Sequence, residues 1–349
     1  MRLRSLLSFA LTSLCFAQVH LLQTSNTTEN LRGVSAVSPT VVWASGTHGT
    51  YLRTINSGNT WTPATVPGAE GLDFRDVEAF SADQAYLLAA GPGDQSRIYK
   101  TSDAGKSWAL QFTNREPKGF YDGMAFWDRN HGIAVGDPVN GKFELLVTED
   151  GTNWKALTST GLPPAIEGEG AFAASGTCIT VQGDSNVWFA TGGKAARVFR
   201  SRDRGKTWTV TETPIVHGND SSGIFSIWFG DDKHGAVAGG DYRHPEQGGP
   251  NLAYTEDGGA SWTLSPLKPQ AYFSAVGHMK PHGAHDLLAV GSAHAGFTDG
   301  AKQKNWLIWL DTNLNAISFA GTDTAWAVGP QGTITYWSRH HGKAMDGNN

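Results

Sequence analysis

Nine polar residues are the candidates for chemistry or recognition: Arg32, Arg75, Tyr121, Asp122, Asp137, Glu169, Arg197, Asp241 and Arg243. Arginines hold carboxylate or phosphate groups in a two-point fork. Two carboxylates flanking a sugar linkage would make a glycoside hydrolase. The same groups gathered at one mouth without a nucleophile would make a recognition surface for a polypeptide or a glycan. His278, His282, His285 and Asp286 fall within nine residues and carry zinc-type donors. Their surroundings read as a solvated loop, so no metal is expected. Gly168-Glu169-Gly170-Ala171-Phe172-Ala173 follows Pro163-Pro164 and opens a strand, so no helix N-terminus is available to hold a pyrophosphate. Cys178 lies in the apolar run Thr177-Cys178-Ile179-Thr180-Val181, where a thiol packs as a small hydrophobe. With no nucleophile elbow, phosphate-binding loop, paired-histidine zinc motif or C-x-x-C, no catalytic residue and no cofactor are expected.

The elements that must position these residues come from a repeat. Thr54–Trp61, Thr101–Trp108, Ser201–Trp208, Thr255–Trp262 and the shortened Thr148–Trp154 share the form [ST]-x-[DN]-x-G-x-[ST]-W. Their tryptophans are spaced 47, 46, 54 and 54 residues apart. The side chains of Asn56, Asp103, Asp150, Asp203 and Asp257 can accept backbone N–H groups of a tight turn. The glycine supplies positive φ. Trp61, Trp108, Trp154, Trp208 and Trp262 then open a strand and bury a large ring. Upstream of each turn runs an alternating strand, then a small apolar strand ending in glycine, as in Val41-Val42-Trp43-Ala44-Ser45-Gly46. Two further units, around Phe273–Gly291 and Ala316–Gly329, repeat this phrase without the turn motif. That makes seven units of about 47 residues, near the roughly 40–50 of propeller blades. The chain therefore predicts an all-β, seven-bladed propeller over residues 18–349. The otherwise unemployed Val19–Thr24 is expected to supply the last strand of the seventh blade, closing the ring and removing an exposed edge. The innermost strand of unit four is expected around Ala171-Phe172-Ala173.

Composition agrees. Glycine is 43 of 349 residues, well above the usual ~7%. With 27 Lys+Arg against 32 Asp+Glu, no basic surface invites nucleic acid. Met1-Arg2-Leu3-Arg4, an apolar run too short for the ~20 residues of a membrane span, and Cys15-Phe16-Ala17 together read as a signal peptide over residues 1–17. The mature protein is expected to be exported to the periplasm or secreted, monomeric, and left with Cys178 as its single cysteine.

The turns resemble the Asp-box, or BNR, repeat. Read with the inner-strand phrase, the chain is similar to the photosystem II stability/assembly factor family of seven-bladed propellers, some exported relatives of which carry an oxidoreductase label. The resemblance implies a non-catalytic scaffold whose face binds a partner polypeptide, with arginines prominent. Arg32 in Leu31-Arg32-Gly33-Val34 and Arg75 in Phe74-Arg75-Asp76-Val77 match by position, while Tyr121 interrupts the series in the third unit. The turns are also shared with sialidases. A sialidase-like hydrolase would gather Arg75, Arg197 and Arg243 around the sugar carboxylate, and Phe74-Arg75-Asp76-Val77 matches that family's arginine signature in part.

Overall fold

The second strand of each repeat is a run of small and branched apolar residues, and such a run is buried on both faces. Val42–Gly46, Ala85–Ala89 and Thr324–Val328 are buried at every position. A strand of that kind must lie inside a stack of sheets, which is where the computed structural model places it. The structure describes residues 19–267, 269–278, 287–298, 306–321 and 323–338.

Seven four-stranded antiparallel units form the chain. From the axis outward, blade one is Leu31–Ala36, Val42–Gly46, Thr50–Thr54 and Thr62–Thr65. Blade two is Phe74–Ala79, Ala85–Ala89, Arg97–Thr101 and Ala109–Thr113. Blade three is Tyr121–Asp128, His131–Val139, Lys142–Thr148 and Trp154–Ala156. Blade four is Ile179–Gln182, Asn186–Ala190, Arg197–Ser201 and Thr209–Glu212. Blade five is Ser222–Phe229, Gly235–Asp241, Leu252–Thr255 and Thr263–Leu264. Blade six is Ala275–His278, Leu287–Val290, Ala295–Thr298 and Trp306–Leu310. Blade seven is Ala316–Ala320, Thr324–Val328 and Ile334–Ser338, with Val19–Gln23 paired antiparallel outside Ile334–Ser338. Among the described residues the only helical turn is Gly93–Gln95, and no helix is long and apolar enough to cross a membrane. The signal-peptide expectation over residues 1–17 and most of the histidine segment, 279–286, fall outside the described residues.

The core is divided among the interfaces. Each hydrophobic cluster joins two neighbouring blades, as with Trp43 and Tyr51 against Phe74, Leu87 and Tyr99. The cluster of Leu31, Val42, Leu52 and Trp61 with Trp326, Val328 and Ile334 joins blade one to blade seven. Aromatic donors reach across these interfaces to main-chain acceptors. Trp43 Nε1 donates to the Ser81 carbonyl at 3.0 Å, Tyr51 Oη to Gly105 at 2.8 Å and Trp188 Nε1 to Gly258 at 2.9 Å.

The repeated turns form as their residue types dictate. Asp103 accepts from the Ser107 amide at 2.9 Å and hydroxyl at 2.6 Å, and Asp203 and Asp257 make the same contacts with Thr207 and Ser261. Asn56 accepts the Thr60 amide, and Asp150 takes the amides of Thr152 and Asn153 in the shortened turn. The glycine amide donates to the first Ser/Thr hydroxyl, as Gly105 does to Thr101 at 3.0 Å. In three of the turns a non-glycine residue, Ser57, Ala104 or Arg204, precedes that glycine and also takes positive φ, at 59°, 67° and 58°. Trp61 and Trp208 are buried, while Trp108, Trp154 and Trp262 keep an exposed edge.

Blade four differs from the sequence expectation. Its innermost strand is Ile179–Gln182, not Ala171–Ala173. The branched run from Ile179 packs against Phe189 and Phe199, whereas Ala171–Ala174 offers too little apolar volume for that layer. The displaced segment instead lies across the mouth of the ring.

Candidate functional site

The face where the innermost strands begin holds a cavity of about 1130 Å³. Arg32 and Arg75 stand at the starts of the inner strands of blades one and two. Asp122 is the second residue of that of blade three, and Asp137 lies near the end of the second strand of the same blade. Glu169 opens a two-residue ladder, Glu169–Gly170 with Gly192–Gly193, that leans on blade five through Gly192 and Gly223. These five candidates line one cavity together with Phe172, Phe225, Tyr242 and Tyr272.

Charge inside this mouth is only partly compensated. Arg75 Nε donates to Asp73 at 2.7 Å and its Nη1 to the Ala173 carbonyl at 3.2 Å. The buried Nε of Arg32 has no hydrogen-bond partner among the described residues. Burial, and after it the nearby Arg75 charge, make the Arg32 guanidinium easier to deprotonate than usual. Asp122 is buried and its Oδ2 is likewise unpartnered among the described residues. Burial, then repulsion from Asp137, hold its carboxyl well above the usual range. Asp137 is pushed up to about 6, again by burial, although the Ala171 amide donates to it at 3.0 Å. Deeper along the axis, burial lifts Asp76 to about 7 and lifts Glu78 as well, with Asp76 adding repulsion. Carboxylates taken out of water without partners prefer the neutral form.

The other candidates are placed elsewhere. Tyr121 is buried in a cleft between blades two and three, edge-on to Phe112 and near Glu144. A Tyr on an inner strand points its ring between blades, and sequence alone does not say which way it faces. Arg197 is consumed structurally: Nε donates to Glu169 Oε1 at 2.8 Å, Nη2 donates to Oε2, and the pair is almost wholly buried. Arg243 is exposed and paired with Asp220 at 2.9 Å. Asp241 is pulled down to about 2; burial works against that lowering, which hydrogen bonds from Ser221, His244 and the Arg243 amide produce. Asp241 therefore shapes its loop. Arg75, Arg197 and Arg243 do not converge. The aromatic wall went unmarked in the sequence because Phe172, Phe225 and Tyr272 come from three separate units. No group of three or more metal-ligating side chains clusters among the described residues.

Fold and mouth together define a seven-bladed β-propeller with a polar, half-aromatic opening. No protein-family model matches the chain. It resembles the photosystem II assembly factors. The structure of YCF48 bound to D1 peptide superposes with a TM-score of 0.63 at 15% identity, over 92% of this chain and 96% of that one. YCF48 from Cyanidioschyzon merolae gives 0.63 at 18%, over 91% and 98%. U3-55K gives 0.64 at 10%, over 91% and 98%. At such identities the likeness concerns the fold. In sequence, the chloroplastic photosystem II stability/assembly factor HCF136 of Oryza sativa subsp. japonica is 31% identical over 116 residues, 32% of this chain and 26% of that protein. A xyloglucanase of Paenibacillus sp. is 25% identical over 299 residues, 80% of this chain and 26% of that enzyme. The chain thus spans about a quarter of each curated relative.

Proposed function

We propose that this protein is an exported, non-catalytic scaffold that binds a partner polypeptide at the mouth of its ring, as an assembly or stability factor does. The observation that carries the reading is Arg32, a largely buried guanidinium beside Arg75 that lines the cavity and whose enclosed Nε has no hydrogen-bond partner among the described residues. An unpaired buried charge is costly, and an acceptor carried by a ligand offsets that cost. The likeness to YCF48, whose structure includes a D1 peptide, supports a polypeptide as the ligand. The five Asp/Asn turns, read as Asp-box turns, serve as framework on this view, and Arg32, Arg75, Asp122 and Asp137 are the contact residues. The test is affinity capture from the source cell's envelope fraction, with cross-linking from the mouth and mass spectrometry. One polypeptide should be captured by the unaltered protein and lost from an Arg32→Ala/Arg75→Ala variant that unfolds at an unchanged temperature. Capture indifferent to both arginines would refute the assignment.

The similarity to a xyloglucanase favours a second reading, a glycan in place of a peptide, with hydrolysis as its extreme form. Two carboxyls with raised, mutually dependent proton affinities are the raw material of acid–base catalysis. The separation of Arg197 and Arg243 from Arg75 gives a sialidase-type clamp no support. Turnover of a xyloglucan oligosaccharide or a fluorogenic sialoside, abolished by Asp122→Asn, would establish this reading over the scaffold.

A further inference from the structure

The mouth already holds a stretch of polypeptide, this chain's own Ala171–Ala174. After the short ladder at Glu169–Gly170 the segment has no strand partner. Side chains meet its main-chain groups instead. Asp137 accepts the Ala171 amide, Arg75 donates to the Ala173 carbonyl, and the Ala173 amide lies against the Asp122 carboxyl. Between the anchor points Phe172 enters a slot. Its ring stacks on Phe225 at 4.0 Å with the planes 2° apart, and Tyr272 closes the far edge of Phe225 at 4.7 Å. Gly192 and Gly223 form the slot floor, where a β-carbon at Gly192 would collide with the Phe172 ring.

A short segment, drawn into a tight turn at Ala173 by the Ala174 amide donating to the Phe172 carbonyl at 2.9 Å and read by an arginine and two carboxyls with one aromatic side chain in a glycine-floored slot, has the form of a bound peptide. Resting on the polypeptide-binding reading above, we propose that Gly170–Ala174 is a tethered surrogate for the partner. The partner then presents an aromatic residue flanked by small residues, turned just after the aromatic residue as the surrogate is, and takes the same anchors by displacing the surrogate. Arg32 and the unpartnered oxygen of Asp122 lie beside the anchors and are left for contacts the surrogate does not make.

The test uses the full chain and a fluorescent peptide of sequence Gly-Ala-Phe-Ala-Ala. An Ala171→Pro/Ala173→Pro variant removes the two amides that Asp137 and Asp122 face, because proline has no N–H, and leaves every pocket side chain in place. The peptide should bind this variant at least tenfold more tightly than the unaltered chain. Replacing its phenylalanine by alanine should cost at least tenfold. Should the double-proline chain fail to fold, Phe172→Ala empties the slot alone and should show the same ordering. Equal affinity for loosened and unaltered chains, no binding to either, or indifference to the phenylalanine would each overturn the surrogate. If arginine-dependent capture of a polypeptide survives that result, only the surrogate falls; if capture fails too, the underlying reading falls with it.

Discussion

Replacing Arg197 by methionine removes one half of an ion pair almost closed to solvent: the Glu169 side chain is 0% exposed and that of Arg197 9%. The change deletes two charge-assisted hydrogen bonds to the carboxylate and a third, at 2.9 Å, to the Pro164 carbonyl. Breaking a buried pair from one side costs about 3–5 kcal/mol, because the remaining charge is stranded. Glu169 keeps the Thr191 hydroxyl at 2.6 Å and the Ile166 amide at 2.9 Å, which argues for the lower end, about 3 kcal/mol. At about 2.1 cal/mol/K of unfolding entropy per residue over 349 residues, that loss lowers Tm by about 4 °C. Guanidinium unfolding followed by tryptophan fluorescence measures it. The Glu169→Met/Arg197→Met chain, which strands no charge, should recover most of that loss. A single-variant loss below about 1 kcal/mol would refute the claim that this pair holds the ladder at the mouth, as would a double variant no better than the single.

Arg32→Met should leave the ligand-free protein as stable or up to about 1 kcal/mol more stable in thermal unfolding, since it removes a buried charge with an unfilled donor, while weakening ligand capture at least tenfold. Asp76, lifted to about 7 by burial, favours the folded state while protonated. That stability is fully present below about pH 4 and is lost as pH rises through about 7. Asp76→Asn should flatten stability between those limits and gain about 1–3 kcal/mol at pH 8, read from denaturant midpoints across pH. Asp257 has the opposite sign: hydrogen bonds led by that of Ser261 pull it down to about 2. Its contribution, present above the unfolded value near 4, fades as pH falls through about 2, so Asp257→Ala should lower Tm slightly at pH 7 and by less at pH 2.

The repeat was legible because its chemistry is local. A turn built from Asp103, Gly105 and Ser107 needs only its own residues, and the buried second strands declare themselves by unbroken apolar runs. Arg32, Arg75 and Asp122 could be assigned to the mouth for the same reason, since each sits at the beginning of an inner strand. What resisted reading depends on partners far apart in the chain. The Arg197–Glu169 pair spans 28 residues and two units, and nothing near Arg197 marks it as already paired. Tyr121 stands at the strand position of Phe74, one before that of Arg75, so its ring packs between blades as Phe74 does, edge-on to Phe112 and near Glu144. Ala171-Phe172-Ala173 imitates a strand by alternation, and only competition with the better-branched run at Ile179 moved it out of the sheet.

Pairing of Val19–Gln23 with Ile334–Ser338 joins segments more than 300 residues apart in one sheet. During synthesis the leading strand must wait until the last blade emerges, with only its neighbours in blade one to lean on. The final zipping step is therefore slow relative to the local hairpins, and until it happens the outer edge of Ile334–Ser338 remains an open template for another molecule's strand.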